Sequence, residues 1–142
     1  MPKRIWDRAT RAVTSDAAGL SILGGAALWR AVSYMPGQVN PDRNPAHWLE
    51  GLLPPTGWSW AWMIVGMLCI TAIWQRRIMP IAVGLIVGLN LAWALSFMGI
   101  QLAGESTRAH VSAIGYFATA GLAFWGFGRG RNPQLAVKLD KG

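Results

Sequence analysis

Residues Met79 to Ala103, MPIAVGLIVGLNLAWALSFMGIQLA, run for 25 positions without a charged side chain. A hydrocarbon core about 30 Å thick needs roughly 20 helical residues at 1.5 Å each, so this stretch is long enough to cross a bilayer. Working outward from it, Ala17 to Met35, Trp58 to Trp74 and Ala109 to Gly128 supply 19, 17 and 20 residues of similar character. A hydrophobic fraction of 53% with only 13% charged residues fits a membrane chain better than a soluble one. The expected fold is all-α and integral to the membrane, one domain over residues 1–142 in which four transmembrane helices form a bundle.

Charge orients this arrangement. Lys3, Arg4, Arg8 and Arg11 precede the first span, Arg76 and Arg77 separate the second from the third, and Arg129, Arg131, Lys138 and Lys141 follow the fourth. These are ten of the 13 Lys and Arg residues, and they share one side if all four stretches cross, leaving Arg30, Arg43 and Arg108 for the other. The positive-inside bias then places both termini in the cytoplasm. The net charge of +7 raises a nucleic-acid reading. It is set aside because the basic residues flank apolar spans, where they face anionic lipid.

In residues 1–16, Arg4, Arg8 and Arg11 recur at helical spacing while Ile5, Trp6, Ala9, Ala12 and Val13 fill the opposing arc. That is the pattern of a short amphipathic helix on the inner leaflet, with a frayed basic tail as the alternative. Thr14, Ser15 or Asp16 is placed to cap the helix that follows. Leu20 to Leu28 and Ala31-Val32-Ser33 resemble a cleavable signal, but the long n-region, Asp7, Asp16 and Arg30 favour retention as an anchor.

The first outer linker, Pro36 to Gly57, is the longest. Asn44-Pro45 reads as an N-cap followed by proline at the first helical position, with Trp48, Leu49, Leu52 and Leu53 on one face of a short helix. This segment is expected to lie on the outer surface or to cap the bundle. His47 and Glu50 are expected on a solvated polar face, since a metal site needs three or four convergent ligands and His110 is the only other histidine. Trp48, Trp58, Trp60 and Trp62 read as an outer interfacial belt, and Trp6, Trp74 and Trp125 as its inner counterpart. The single Cys69 reads as a packing residue.

Within the spans, Gly84, Gly88, Ala92 and Ser96 form a GxxxG-type ridge suited to a helix of the same bundle or to a second copy, and Gly115, Thr119 and Ala123 a weaker one. Asn90 is expected to hydrogen-bond a facing helix or, in an oligomer, to line a wet lumen. Arg30 is expected to snorkel outward, towards Glu50 or Glu105. Trp29-Arg30-Ala31-Val32-Ser33-Tyr34-Met35 echoes Trp93-Ala94-Leu95-Ser96-Phe97-Met98, which, unless it is chance similarity, suggests two related helical hairpins. No Walker loop, H-E-x-x-H, G-x-S-x-G or C-x-x-C occurs. Neither catalysis nor a cofactor or metal is expected.

The run Trp48-Leu49-Glu50-Gly51-Leu52-Leu53-Pro54-Pro55 leading into Trp58 to Trp62, between a basic amino end and a basic tail, resembles small four-pass membrane proteins of actinobacterial phages and prophages. Proteins of that type are often encoded near lysis genes and regarded as holin-like. The resemblance implies a non-enzymatic homo-oligomer that ends the barrier function of the membrane and releases or activates a muralytic enzyme. Two other readings stay open. One is an adaptor that binds a membrane or envelope protein through the outer linker, as in superinfection exclusion or assembly. The other is a small channel or transporter with Asn90 and Arg30 on its path.

Overall fold

A computed structural model describes residues 15–40 and 42–128. The expectations for Lys3, Arg4, Trp6, Arg8, Arg11, Arg129 and Arg131 lie outside those residues. The described chain is all-helical, with four long helices: α1 (Asp16–Ser33), α2 (Pro55–Thr71), α3 (Met79–Leu102) and α4 (Ala109–Gly128). Local chemistry sets their ends. The Ser15 hydroxyl accepts from the Ala18 amide and caps α1, and Pro55 and Pro80 occupy the first turns of α2 and α3, where a missing N–H costs nothing. At the end of α3, Gly104 adopts φ +75° while its N–H reaches Gln101 O and that of Glu105 reaches Ile100 O. This Schellman turn reverses the chain within a few residues and lays α4 antiparallel to α3.

The helices pair as two hairpins, α1 on α2 and α3 on α4. α2 packs on α3 between them, and α1 meets α4 at few points. α1 and α2 cross at two glycines. A Cβ on Gly24 would lie 3.1 Å from the Gly66 carbonyl oxygen, and one on Gly66 would lie 3.1 Å from that of Gly24. Small residues let the backbones approach this closely. α4 turns Ala109, Ala113, Ala120 and Ala123 inward, small side chains that let it pack closely along α3.

The surface is apolar as well as the core. Ile22, Trp29, Ile64, Met67, Leu95, Ile114 and Phe124 face outward, while Asn90, Ser59 and Ser96 are buried among the core's apolar side chains. Two helical stretches, Arg76–Leu102 and Ala109–Gly128, are long and apolar enough to cross a membrane. The other two helices fall short for different reasons: α2, at 17 residues, is about 26 Å long, and α1 carries Asp16 and Arg30. Trp29 and Trp93, the anchors of the internal echo, differ in environment, being 75% and 1% exposed.

The ridge on α3 also differs from an inward-packing one. Gly84 and Gly88 face away from the bundle, and a Cβ at either would meet nothing within 4 Å; Ala92 is half-buried and Ser96 buried. The inward face is instead Ala82, Ile86, Asn90, Trp93 and Ala94. In the linker, the short helix is a single 3-10 turn at Glu50–Leu52, and it begins after Pro45 rather than at it.

Candidate functional site

Arg30, in the last turn of α1, reaches every other helix. Its Nη1 donates to Asn90 Oδ1 on α3 at 3.0 Å, and its guanidinium carbon lies 4.8 Å from the centre of the Trp62 ring on α2 and 4.2 Å from that of Tyr116 on α4. The arginine therefore turns inward rather than snorkelling, because an amide oxygen and two aromatic faces replace the water it would otherwise seek. Asn90 is oriented by its own helix, its Nδ2 donating to Ile86 O at 2.7 Å, which leaves Oδ1 for the arginine.

Trp93 stands at the centre of the surrounding aromatic cluster. The rings of Trp58, Trp62 and His47 meet it near-perpendicularly at 4.4, 5.4 and 4.9 Å, the edge-to-face arrangement that aligns positive ring edges with negative faces. Trp58 and Trp62, expected in an interfacial belt, are thus core residues, and of the three indoles only Trp60 faces outward. Helical geometry explains the split: positions 58 and 62 share a face, and position 60 lies about 200° round the helix.

The linker between α1 and α2 folds back over this cluster as a lid, seated through residues 47–50. His47 and Glu50, expected to be solvated, are 3% and 6% exposed. The Ser96 hydroxyl lies 2.9 Å from His47 Nδ1 and accepts from the Leu49 amide at 3.0 Å. The Glu50 amide also approaches Nδ1, at 3.4 Å. An amide can only donate, so this contact fits the tautomer with the proton on Nε2, an atom that has no partner among the described residues. The Glu50 carboxylate pairs with Arg43 and accepts from the Ala46 amide, its backbone carbonyl accepts from Trp58 Nε1 at 3.0 Å, and the Trp48 indole lies over Gly99.

Burial pushes His47 below its ordinary 6.5; the Glu50 carboxylate opposes the shift and Arg43 adds to it. The unfolded linker therefore takes up a proton more readily than the seated one. Seating is complete above pH 6.5 and weakens as the pH falls below it. Lower protection factors, with exchange corrected for the intrinsic rate at each pH, are expected at the Leu49 and Glu50 amides on acidification, and His47→Leu is expected to remove that dependence; identical protection profiles in both proteins would refute the assignment.

Sequence reasoning named Arg30 and Asn90 separately, and the structure joins them. Tyr116, the central place of Trp93 among the rings and the Gly24–Gly66 crossing were not identified from the sequence. Trp48, Trp60, Trp74 and Trp125 are exposed, as are Arg76 and Arg77, and Arg76 Nη1 lies 3.6 Å from Asp16 Oδ2. Cys69 is buried, and among the described residues no three His, Cys, Asp or Glu side chains converge. The assembled chemistry is thus a guanidinium held by an amide and two aromatic faces. Comparison with family models, curated proteins and solved structures gives no match to this chain.

Proposed function

We propose that this chain is a four-pass protein of a bacterial cytoplasmic membrane, with both termini in the cytoplasm, that self-associates through α3 and breaks the barrier function of the membrane in the manner of a holin. The observation that carries the proposal is the outward placement of Gly84 and Gly88 on the most apolar helix, a smooth strip that nothing in the same chain occupies. In lipid, where apolar side chains gain little from meeting each other, such strips are where two helices approach most closely. The apolar outward surface, with Asn90, Ser59 and Ser96 kept inside, supports immersion of the whole bundle, α1 and α2 included. In that setting the lid closes the external end.

Gly88→Leu tests the proposal. The side chain enters open space, so the fold and membrane insertion are expected to persist while self-association is lost. Inducible expression of wild type is expected to collapse the membrane potential abruptly, and Gly88→Leu at matched abundance is expected to delay the collapse severalfold. A polarised, growing culture containing abundant inserted wild-type protein would overturn the lesion. It would favour an adaptor acting through Leu52 and Leu53, which the lid presents outward.

A further inference from the structure

At the end of the bundle opposite the lid, the two hairpins part. A groove of about 380 Å³ runs between α1 and α4, walled by Ile22, Leu23, Leu122 and Phe127 and left open by the missing side chains of Gly19 and Gly126. A second groove, of about 360 Å³, runs between α3 and α4, with Met79, Val83, Val87 and Phe124 along it and Gly84, one end of the small-residue strip on α3, also lining it. Phe127 lines both, and its ring packs on α1, where a Cβ on Gly19 would come within 3.1 Å of Cζ. The two clefts are therefore apolar grooves that share one aromatic ring as a wall.

Their mouths share a charged feature. Asp16 lines the first groove and lies 3.6 Å from the Arg76 guanidinium, while the turn Arg76–Ile78 leads directly into Met79 and Pro80, which line the second. Arg76 is 78% exposed and Arg77 is exposed beside it. Two guanidinium groups against one carboxylate leave one positive charge between the two mouths. A guanidinium fork matches phosphate oxygens in a bidentate pair.

We propose that these grooves hold the two acyl chains of a single anionic diacyl phospholipid of the cytoplasmic leaflet, with its phosphate on Arg76 and Arg77. The proposal rests on the four-pass reading above. Two apolar channels at one level, sharing a wall and converging on a net positive charge, match a ligand with two tails and one negative head. A second copy of the chain would need no phosphate-binding pair.

Native mass spectrometry of the monomer from micelles containing equal phosphatidylglycerol and phosphatidylethanolamine tests the site. One phosphatidylglycerol per chain is expected to be retained. Arg76→Gln/Arg77→Gln is expected to weaken retention about tenfold or more and to abolish the headgroup preference, as two juxtamembrane arginines imply. Gly126→Trp, whose Cβ meets nothing within 4 Å, is expected to block the first groove and reduce retention to background at unchanged helicity. Equal retention of both lipids by wild type, or unchanged retention in either variant, would overturn the site.

In unmodified protein, phosphatidylglycerol with a diazirine near the acyl terminus is expected to label the Ile22, Leu122 and Phe124 segments. Label spread over Trp29, Ile64 and Leu95 would count against the grooves. Labelling that appears only in Gly88→Leu would assign the clefts to a second copy and overturn the lipid. None of these readouts depends on killing, so a failed lesion and a failed lipid site are separable.

Discussion

Asn90→Leu is expected to destabilise the bundle by about 2–3 kcal/mol, and combining it with Arg30→Met is expected to bring stability back to within about 1 kcal/mol of wild type. The asymmetry comes from what each change strands. Leucine at position 90 leaves the guanidinium with two aromatic faces but no acceptor among the described groups it touches, and a half-buried cation without an acceptor costs more than the bond itself was worth. Methionine at position 30 removes the cation and keeps a similar volume against Trp62 and Tyr116. Arg30→Met alone is expected to cost about 1 kcal/mol, since Asn90 keeps its bond to the Ile86 carbonyl and loses only its second. Reversible unfolding in mixed micelles, followed by tryptophan fluorescence, reads the cycle. Equal losses in Asn90→Leu and the double variant would show that the two residues are not coupled.

A larger effect is expected at the α1–α2 crossing. Gly66→Leu would place Cβ 2.9 Å from Leu28 Cγ and 3.1 Å from the Gly24 carbonyl oxygen. The side chain can rearrange, but the opposed backbone cannot, so the helices must separate along the contact that defines the first hairpin. Overpacking of this kind costs about 1–3 kcal/mol where side chains can yield, and more is expected here. Against a typical total of about 5–15 kcal/mol, that is a large share of the stability. Gly25→Leu, one position from Gly24 and with nothing within 4 Å of its Cβ, is the matched control and is expected to change stability by less than about 0.5 kcal/mol. The same unfolding assay, with limited proteolysis of the lid, compares the two.

The helices themselves were legible because a 25-residue uncharged stretch admits few other readings, and because Ser15, Pro55 and Gly104 act locally. Which face of α3 turns inward was legible in principle. Gly88 and Asn90 are two residues apart and so about 200° apart on the helix, and both cannot face the same neighbour. A buried amide needs a partner more than a glycine does, so Asn90 faces in, Ile86 and Trp93 follow it, and Gly84 and Gly88 face out. The same periodicity applied to Trp58-Ser59-Trp60-Ala61-Trp62 would have separated Trp60 from its neighbours. His47 was not legible. Its burial depends on Ser96, Trp93 and Phe97, 46 or more residues downstream, and nothing in the local run Pro45-Ala46-His47-Trp48 announces them. Tyr116 is similar: only the path of Arg30 across the bundle gives its ring a role.

The lid and the arginine also impose an order on biogenesis. Arg30 and Asn90 are separated by 60 residues, and His47 and Ser96 by 49. At about 5–20 residues per second, a ribosome takes roughly 3–12 s to make the partner of Arg30 after making Arg30 itself. During that interval the first hairpin can close on Gly24 and Gly66, but its guanidinium has neither amide nor Tyr116, and its lid has no helix to seat on. The amino-terminal half is thus born incomplete, and its polar groups are satisfied only when the second hairpin arrives. A chain cut short between the hairpins would present an arginine with Trp62 beside it but no acceptor, and an unseated lid.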